Sequence, residues 1–380
     1  MQILQPANAH GAKGNREPPP SAECEQKDGA NPRGAEPGHG AKQDHVTAFP
    51  SCSPLPLFSV LPTRCPHEAT ISAADRAVAI DPRAASAYAH KATALRLTGR
   101  AREAAEVALV AVDFEPSNGQ PLTALAAAYN AMKRPQDALD AGYRALQRDP
   151  NYGSTHLTLG FALQQLGRDA EALDRFKQGV ELDPTWARGW VIYGAALRRA
   201  QKMVPAVEAF GKAASLLPDV AEFNFEYGTA LTELRRYLDA LPVLEKAFSA
   251  GYRPTQTALV LARCRIGLQH FDEAFVAFER STTADPRNDE GWREWGAALL
   301  KRKRYTDAIA VMAKAREKLP GNAAVARLHG DALMARGERS AAIEAYEATL
   351  RLDASKKSEL EPILVKLRRK YPLVSARFAP

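Results

Sequence analysis

Three kinds of side chain in this sequence could do chemistry. Cys52 and Cys65 lie near His45 and His67, residue types that bind zinc. A closed zinc site needs ligands held tetrahedrally, whereas these are strung through a proline-rich stretch without a Cys-x-x-Cys pair, so no metal is expected. Carboxylate pairs such as Glu103/Glu106 and Asp289/Glu290 could act as general acid and base. They fall where helix starts and solvated faces favour carboxylates, and no HExxH, phosphate-cradling glycine loop or Gly-x-Ser-x-Gly elbow accompanies them. His156, His270 and His329 read as single and unpartnered, and Cys264 reads as a small buried hydrophobe. The expectation is therefore a chain without catalytic residues, cofactor or metal. Arginines are the third kind, because a guanidinium can grip a carboxylate with two parallel hydrogen bonds. What they do depends on the elements that carry them.

Those elements are announced by prolines. Pro82, Pro116, Pro150, Pro184 and Pro218 recur every 34 residues, and Pro286 and Pro320 resume the series. A proline cannot continue a helix, so a fixed proline fixes where a helix stops. Eight units follow: 85–118, 119–152, 153–186, 187–220, 221–254, 255–288, 289–322 and 323–356. The most regular is the third, in which two short amphipathic helices flank the turn Leu166-Gly167-Arg168. Position 8 of each unit is always Gly or Ala, and position 20 is alanine in all eight, from Ala104 to Ala342. Two helices can cross closely there, with bulky residues such as Leu159, Leu163 and Phe176 filling the space around the crossing. Gly99, Gly167 and Gly337 stand at position 15, where the chain must turn. The fifth and sixth units depart from the pattern: Tyr252 replaces the proline, Pro242 falls inside the second helix and Arg265 takes an apolar slot. A kink or loosened packing is expected near 242–254.

The pattern resembles the tetratricopeptide repeat, with its Trp/Leu, Leu, Gly/Ala, Tyr, Ala, Phe, Ala and Pro at positions 4, 7, 8, 11, 20, 24, 27 and 32, and the resemblance covers residues 85–356. It implies an all-α, right-handed superhelical solenoid of tandem helix-turn-helix repeats, whose inner groove is lined by the first helices and binds a protein or peptide. In that family the inward face falls at positions 2, 5, 9, 12 and 13. This selects Phe161, Gln164 and Gln165 in the third unit, Arg188, Arg198 and Arg199 in the fourth, and Phe225 in the fifth as groove residues. A basic patch between two phenylalanines suits an extended peptide with acidic and apolar residues. The clamp by which some relatives grip chaperone tails is missing, because position 6 never holds asparagine.

The remaining segments bound the reading. Residues 1–66 hold eleven prolines and six glycines without period and are expected to be disordered, either as a flexible tail or as a stretch from an unused upstream start. An orphan N-terminal helix is expected within 67–84 and a basic capping helix in 357–380, with Leu360, Ile363, Leu364 and Leu367 covering the end of the stack. No apolar run approaches the roughly eighteen residues of a membrane span, and a secretion signal is not evident, so a cytoplasmic, soluble protein is expected. The net charge is +7, yet residues 1–66 are balanced and residues 356–380 carry seven basic against two acidic side chains. With the excess in one terminal helix, no nucleic-acid partner is expected. The alternative to groove binding is an assembly or regulatory subunit that works through its ends or convex face, its basic last helix meeting an acidic partner or membrane surface.

Overall fold

A computed structural model of the chain describes residues 66–370. Among them are eighteen α-helices and no strand: α1 (Pro66–Ile80), α2 (Ala85–Leu97), α3 (Ala101–Phe114), α4 (Gly119–Ala131), α5 (Pro135–Arg148), α6 (Gly153–Gln165), α7 (Asp169–Leu182), α8 (Ala187–Arg199), α9 (Met203–Leu216), α10 (Ala221–Glu233), α11 (Tyr237–Ser249), α12 (Pro254–Gly267), α13 (Phe271–Ala284), α14 (Asp289–Lys301), α15 (Tyr305–Lys318), α16 (Ala323–Arg336), α17 (Arg339–Leu352) and α18 (Lys357–Lys370). From α2 onward each even-numbered helix packs on the odd-numbered helix after it, and that helix packs on the next pair, giving an all-α repeat solenoid. The Cys52, Cys65 and His45 cluster and the proline-rich segment 1–65 lie outside the described residues.

The close crossing has a direct steric cause. A Cβ added to Gly160 would stand 2.5 Å from Phe176 Cε1, and one added to Gly228 or Gly330 would stand 2.5 Å from Leu244 Cγ or 2.7 Å from Tyr346 Cε1. Position 8 of one helix thus receives the position-24 side chain of its partner, while the position-20 alanines are buried behind it. Position 15 is left-handed in all eight pairs: Gly99, Gly167 and Gly337, but also Lys133, Gln201, Arg235, Gln269 and Lys303, the latter five at φ between 59° and 65°. The turn geometry is set by packing of the helix pair, and five units adopt it although their side chains disfavour it.

A second regularity is invisible as a residue type. The position-4 side chain donates to the carbonyl of the proline six residues back: Tyr88 Oη to Pro82 at 3.3 Å, Trp190 Nε1 to Pro184 at 2.9 Å, Asn224 Nδ2 to Pro218 at 2.8 Å and Trp292 Nε1 to Pro286 at 3.0 Å. His156 Nε2 makes the same contact with Pro150 at 3.0 Å. A phenol, an indole, a carboxamide and an imidazole serve one purpose, satisfying a carbonyl that the helix end leaves open.

The irregularity expected near 242–254 is confined to the loop. Pro242 stands inside α11 without interrupting it. Instead α11 ends at Ser249 and α12 starts at Pro254, with Gly251 at φ 69° and Arg253 at φ 40° between them. Proline two residues later than usual moves the helix start, because it fits the first helical turn. Arg265 does not disturb the core either: its guanidinium reaches Glu245 at 3.0 Å and Glu273 at 3.5 Å, tying α12 to α11 and α13. At the far end Leu360, Leu364 and Leu367 pack into the cluster of Ile343 and Tyr346. Ile363 is 38% exposed, a correction to the expected cap, since one i, i+4, i+7 stripe of α18 faces the stack and Ile363 lies beside it.

Candidate peptide-binding groove

A cleft of about 550 Å³ opens on the first helices of four successive pairs, α2, α4, α6 and α8, and on the residues that precede the last two. Its floor is made where α4 and α6 approach each other through polar side chains. The hydroxyls of Thr123 and Thr155 meet at 2.7 Å in a buried contact between α4 and α6. Asn130 Nδ2 donates to the Thr158 carbonyl at 2.8 Å, and Gln165 Nε2 donates to the Asn130 carbonyl at 3.1 Å. Short side chains and satisfied polar groups let the backbones come close without an orphaned donor. Above this floor Phe161 stands 39% exposed, its ring edge-on to Phe176 at 5.3 Å, so one face is anchored and the other is open.

Three of the seven expected groove residues meet here: Phe161, Gln165 and Arg188 all line the cleft. Gln164 and Arg199 do not. They line a separate recess of about 110 Å³ beside Phe176, where Arg199 stands 3.5 Å from Asp169. Neighbours on a helix point about 100° apart, and in α6 that turn puts Gln165 on the cleft and Gln164 on the recess. Arg198 spans to α10, with Glu226 at 3.2 Å and its guanidinium over the Phe210 ring at 5.5 Å. Phe225 is buried at 7% exposure, its ring 5.6 Å from that of Tyr252, and so is a core residue and no groove wall.

Charge divides the first helices into two sets. From α8 onward their arginines are matched by carboxylates, among them Arg188 with Glu222 at 2.9 Å, Arg263 with Glu290 at 2.5 Å and Glu294 at 2.6 Å, and Arg327 with Glu359 at 2.6 Å. The hydrogen bond to Glu294 raises the pKa of Arg263 further, while the hydrogen bond from Arg327 holds Glu359 below the usual carboxylate range. In the cleft the situation differs. None of its described lining residues is an aspartate or glutamate. Arg96, in the last turn of α2, has its Nε enclosed without a hydrogen-bond partner, and burial lowers its pKa. Arg96 occupies position 12 of its unit, one of the inward positions, yet is not among the groove residues expected above.

The other residues with chemical potential are engaged in structure. Glu103 pairs with Arg100 at the start of α3, Asp289 with Arg293 at 2.9 Å and Glu290 with Arg263. The expectation that His156 and His329 stand alone is corrected: His156 also meets Gln178 at 3.1 Å, and His329 meets Arg316 at 3.1 Å. Burial pushes the Cys264 thiol up to about 11, which disfavours the thiolate a nucleophile requires. Among the described residues no group of three or more His, Cys, Asp or Glu is placed to hold a metal, and no helix is long and apolar enough to cross a membrane.

Two family models, each described as tetratricopeptide repeat, match residues 129–191 and 259–323. No curated protein sequence matches the chain. Among solved structures it is similar to one described as the APC/C hetero-tetramer Cut9-Hcn1, at 15% identity and a TM-score of 0.51, over 70% of this chain and 52% of that one. The chain thus spans about half the length of that relative. It is also similar to PilF of Pseudomonas aeruginosa, at 20% identity and a TM-score of 0.49 over 59% of this chain and 99% of that one. PilW, described as a type IV pilus biogenesis factor, has 23% identity and a TM-score of 0.47 over 56% and 98%. Identities this low speak to the fold alone.

Proposed function

We propose that this chain, a tetratricopeptide-repeat protein and as such a protein-interaction scaffold, holds an extended peptide segment of its partner in the cleft of α2, α4, α6 and α8. The observation that carries the reading is a cleft built from first helices and the residues that lead into two of them, in which the apolar Phe161, Trp186 and Val191 stand beside polar groups. Concave, largely apolar sites with a few oriented polar groups are where ligands bind. Three helix-to-helix steps of about 9 Å cover roughly 27 Å, which an extended strand crosses in ~8 residues. Binding of this kind is non-covalent and needs neither cofactor nor metal. The arginine patch of the sequence reading contributes less than its composition suggests, because Arg198 and Arg199 already have carboxylate partners in the chain.

The test is affinity capture with the full chain, partners being identified by mass spectrometry. The double variant Phe161→Ala, Arg188→Glu is expected to lose the partners that the wild type retains, with helicity by circular dichroism unchanged. Capture that survives this change but disappears in Lys366→Glu, Arg369→Glu on α18 would replace the groove reading with binding through the basic end of the stack.

A further inference from the structure

We infer that Arg96 is the anion seat of the cleft, and that the peptide held there brings an aspartate or glutamate side chain, with apolar neighbours, onto its guanidinium; this rests on the groove reading above. Arg96 lines the cleft at the α2 end and has no carboxylate partner among the described residues. Its counterparts further along the row, Arg188, Arg198, Arg263 and Arg327, each have a glutamate. With its Nε enclosed and unpartnered and no counter-ion beside it, this partly buried guanidinium is left incompletely compensated in the free protein. The lowered pKa of Arg96, caused by burial alone, has the same origin.

The cleft lining offers that guanidinium no acidic side chain, so the complementary charge comes from what binds. A carboxylate suits it because the guanidinium presents paired N–H donors at matching spacing. A phosphate, with close to two charges, suits it less well, since Arg188, the other arginine in the cleft, is already neutralised by Glu222. Leu97, adjacent in sequence and 50% exposed, and Phe161, 39% exposed, give apolar surface within the same cleft. The ligand is therefore an extended segment with one acidic residue among apolar ones.

The experiment starts from a displayed library of random dodecapeptides selected on the immobilised full chain. The selected peptides are expected to share an Asp or Glu with apolar residues near it. Fluorescence polarisation with one such peptide is then expected to weaken by at least about tenfold for Arg96→Gln, and by a similar factor when the acidic residue of the peptide becomes its amide. The two changes together should add little to either alone. Arg96→Met should also raise the melting temperature of the free chain, as relief of an unpaired, partly buried charge requires and a stabilising structural arginine would not. If Arg96→Gln binds as tightly as the wild type while Phe161→Ala loses the peptide, the anion seat is wrong and the groove stands. If no selected peptide depends on Phe161, both fail. Tighter binding of a phosphoserine version than of the glutamate peptide, or a dimer in sedimentation that Arg96→Gln dissolves, would assign the cleft to another occupant and overturn the inference.

Discussion

The first helices at the two ends of the solenoid are held side by side in different ways. Between α4 and α6 the backbones approach through Thr123, Asn130, Thr155 and Gln165, whose polar atoms are satisfied across the pair, and the cleft above them keeps one arginine unmatched. From α8 to α18 the neighbours are bridged by charge: Arg188 to Glu222, Arg263 to Glu290 and Glu294, Arg327 to Glu359. The same repeat supports both because the second helices and the position 8 crossing carry the packing, leaving the groove face free to vary. A row of arginines that is internally neutralised has little to offer a charged partner. Arg96 keeps its charge unmatched, so the two halves of the row differ more in charge compensation than in fold.

Substitutions at the crossing should not distinguish the halves. Gly160→Leu and Gly330→Leu both drive a side chain into an aromatic ring, Phe176 or Tyr346, and each should cost on the order of 1–3 kcal/mol in denaturant unfolding. A cost at one site only would mean that the stack is not uniform behind its groove. At the floor, Thr155→Val removes a buried hydroxyl contact with Thr123 and should cost about 1–2 kcal/mol, the same at low and high salt. In the bridged half Arg263→Leu should cost under about 1 kcal/mol, since its partners are one-third to one-half exposed, and that cost should fade in 1 M salt. Equal salt sensitivity of Thr155→Val and Arg263→Leu would remove the contrast. The smallest change is a gain: Lys133→Gly and Lys303→Gly, one in each half, relieve a left-handed residue and should each add about 0.5 kcal/mol.

Much of this could be read before any coordinates. Alanine at position 20 and a small residue at position 8 specify the crossing, and glycine at position 15 marks three of the turns. The other five turns were hidden, because Lys133, Gln201, Arg235, Gln269 and Lys303 have no preference for the conformation they adopt. Phe161, Gln165 and Arg188, chosen for their inward positions, line the cleft. Gln164 and Arg199 line a separate recess, Arg198 meets Glu226 and Phe225 is buried, since a position in the repeat says nothing of depth or of neighbouring partners. Arg96 was overlooked because an arginine looks alike in sequence whether or not something pairs with it.

The sequence by itself determined the 34-residue period, the helix pairs and the close crossings, since proline, glycine and alanine act through backbone geometry and sterics that are local. Only the tertiary structure decided which cations are spent within the chain. Arg188 and Glu222 stand 34 residues apart and meet because stacking brings the same position of adjacent units together, while Arg96 lines a cleft that holds no described carboxylate. Charge compensation depends on what lies across a few ångströms of space, and that distance exists only once the helices are stacked.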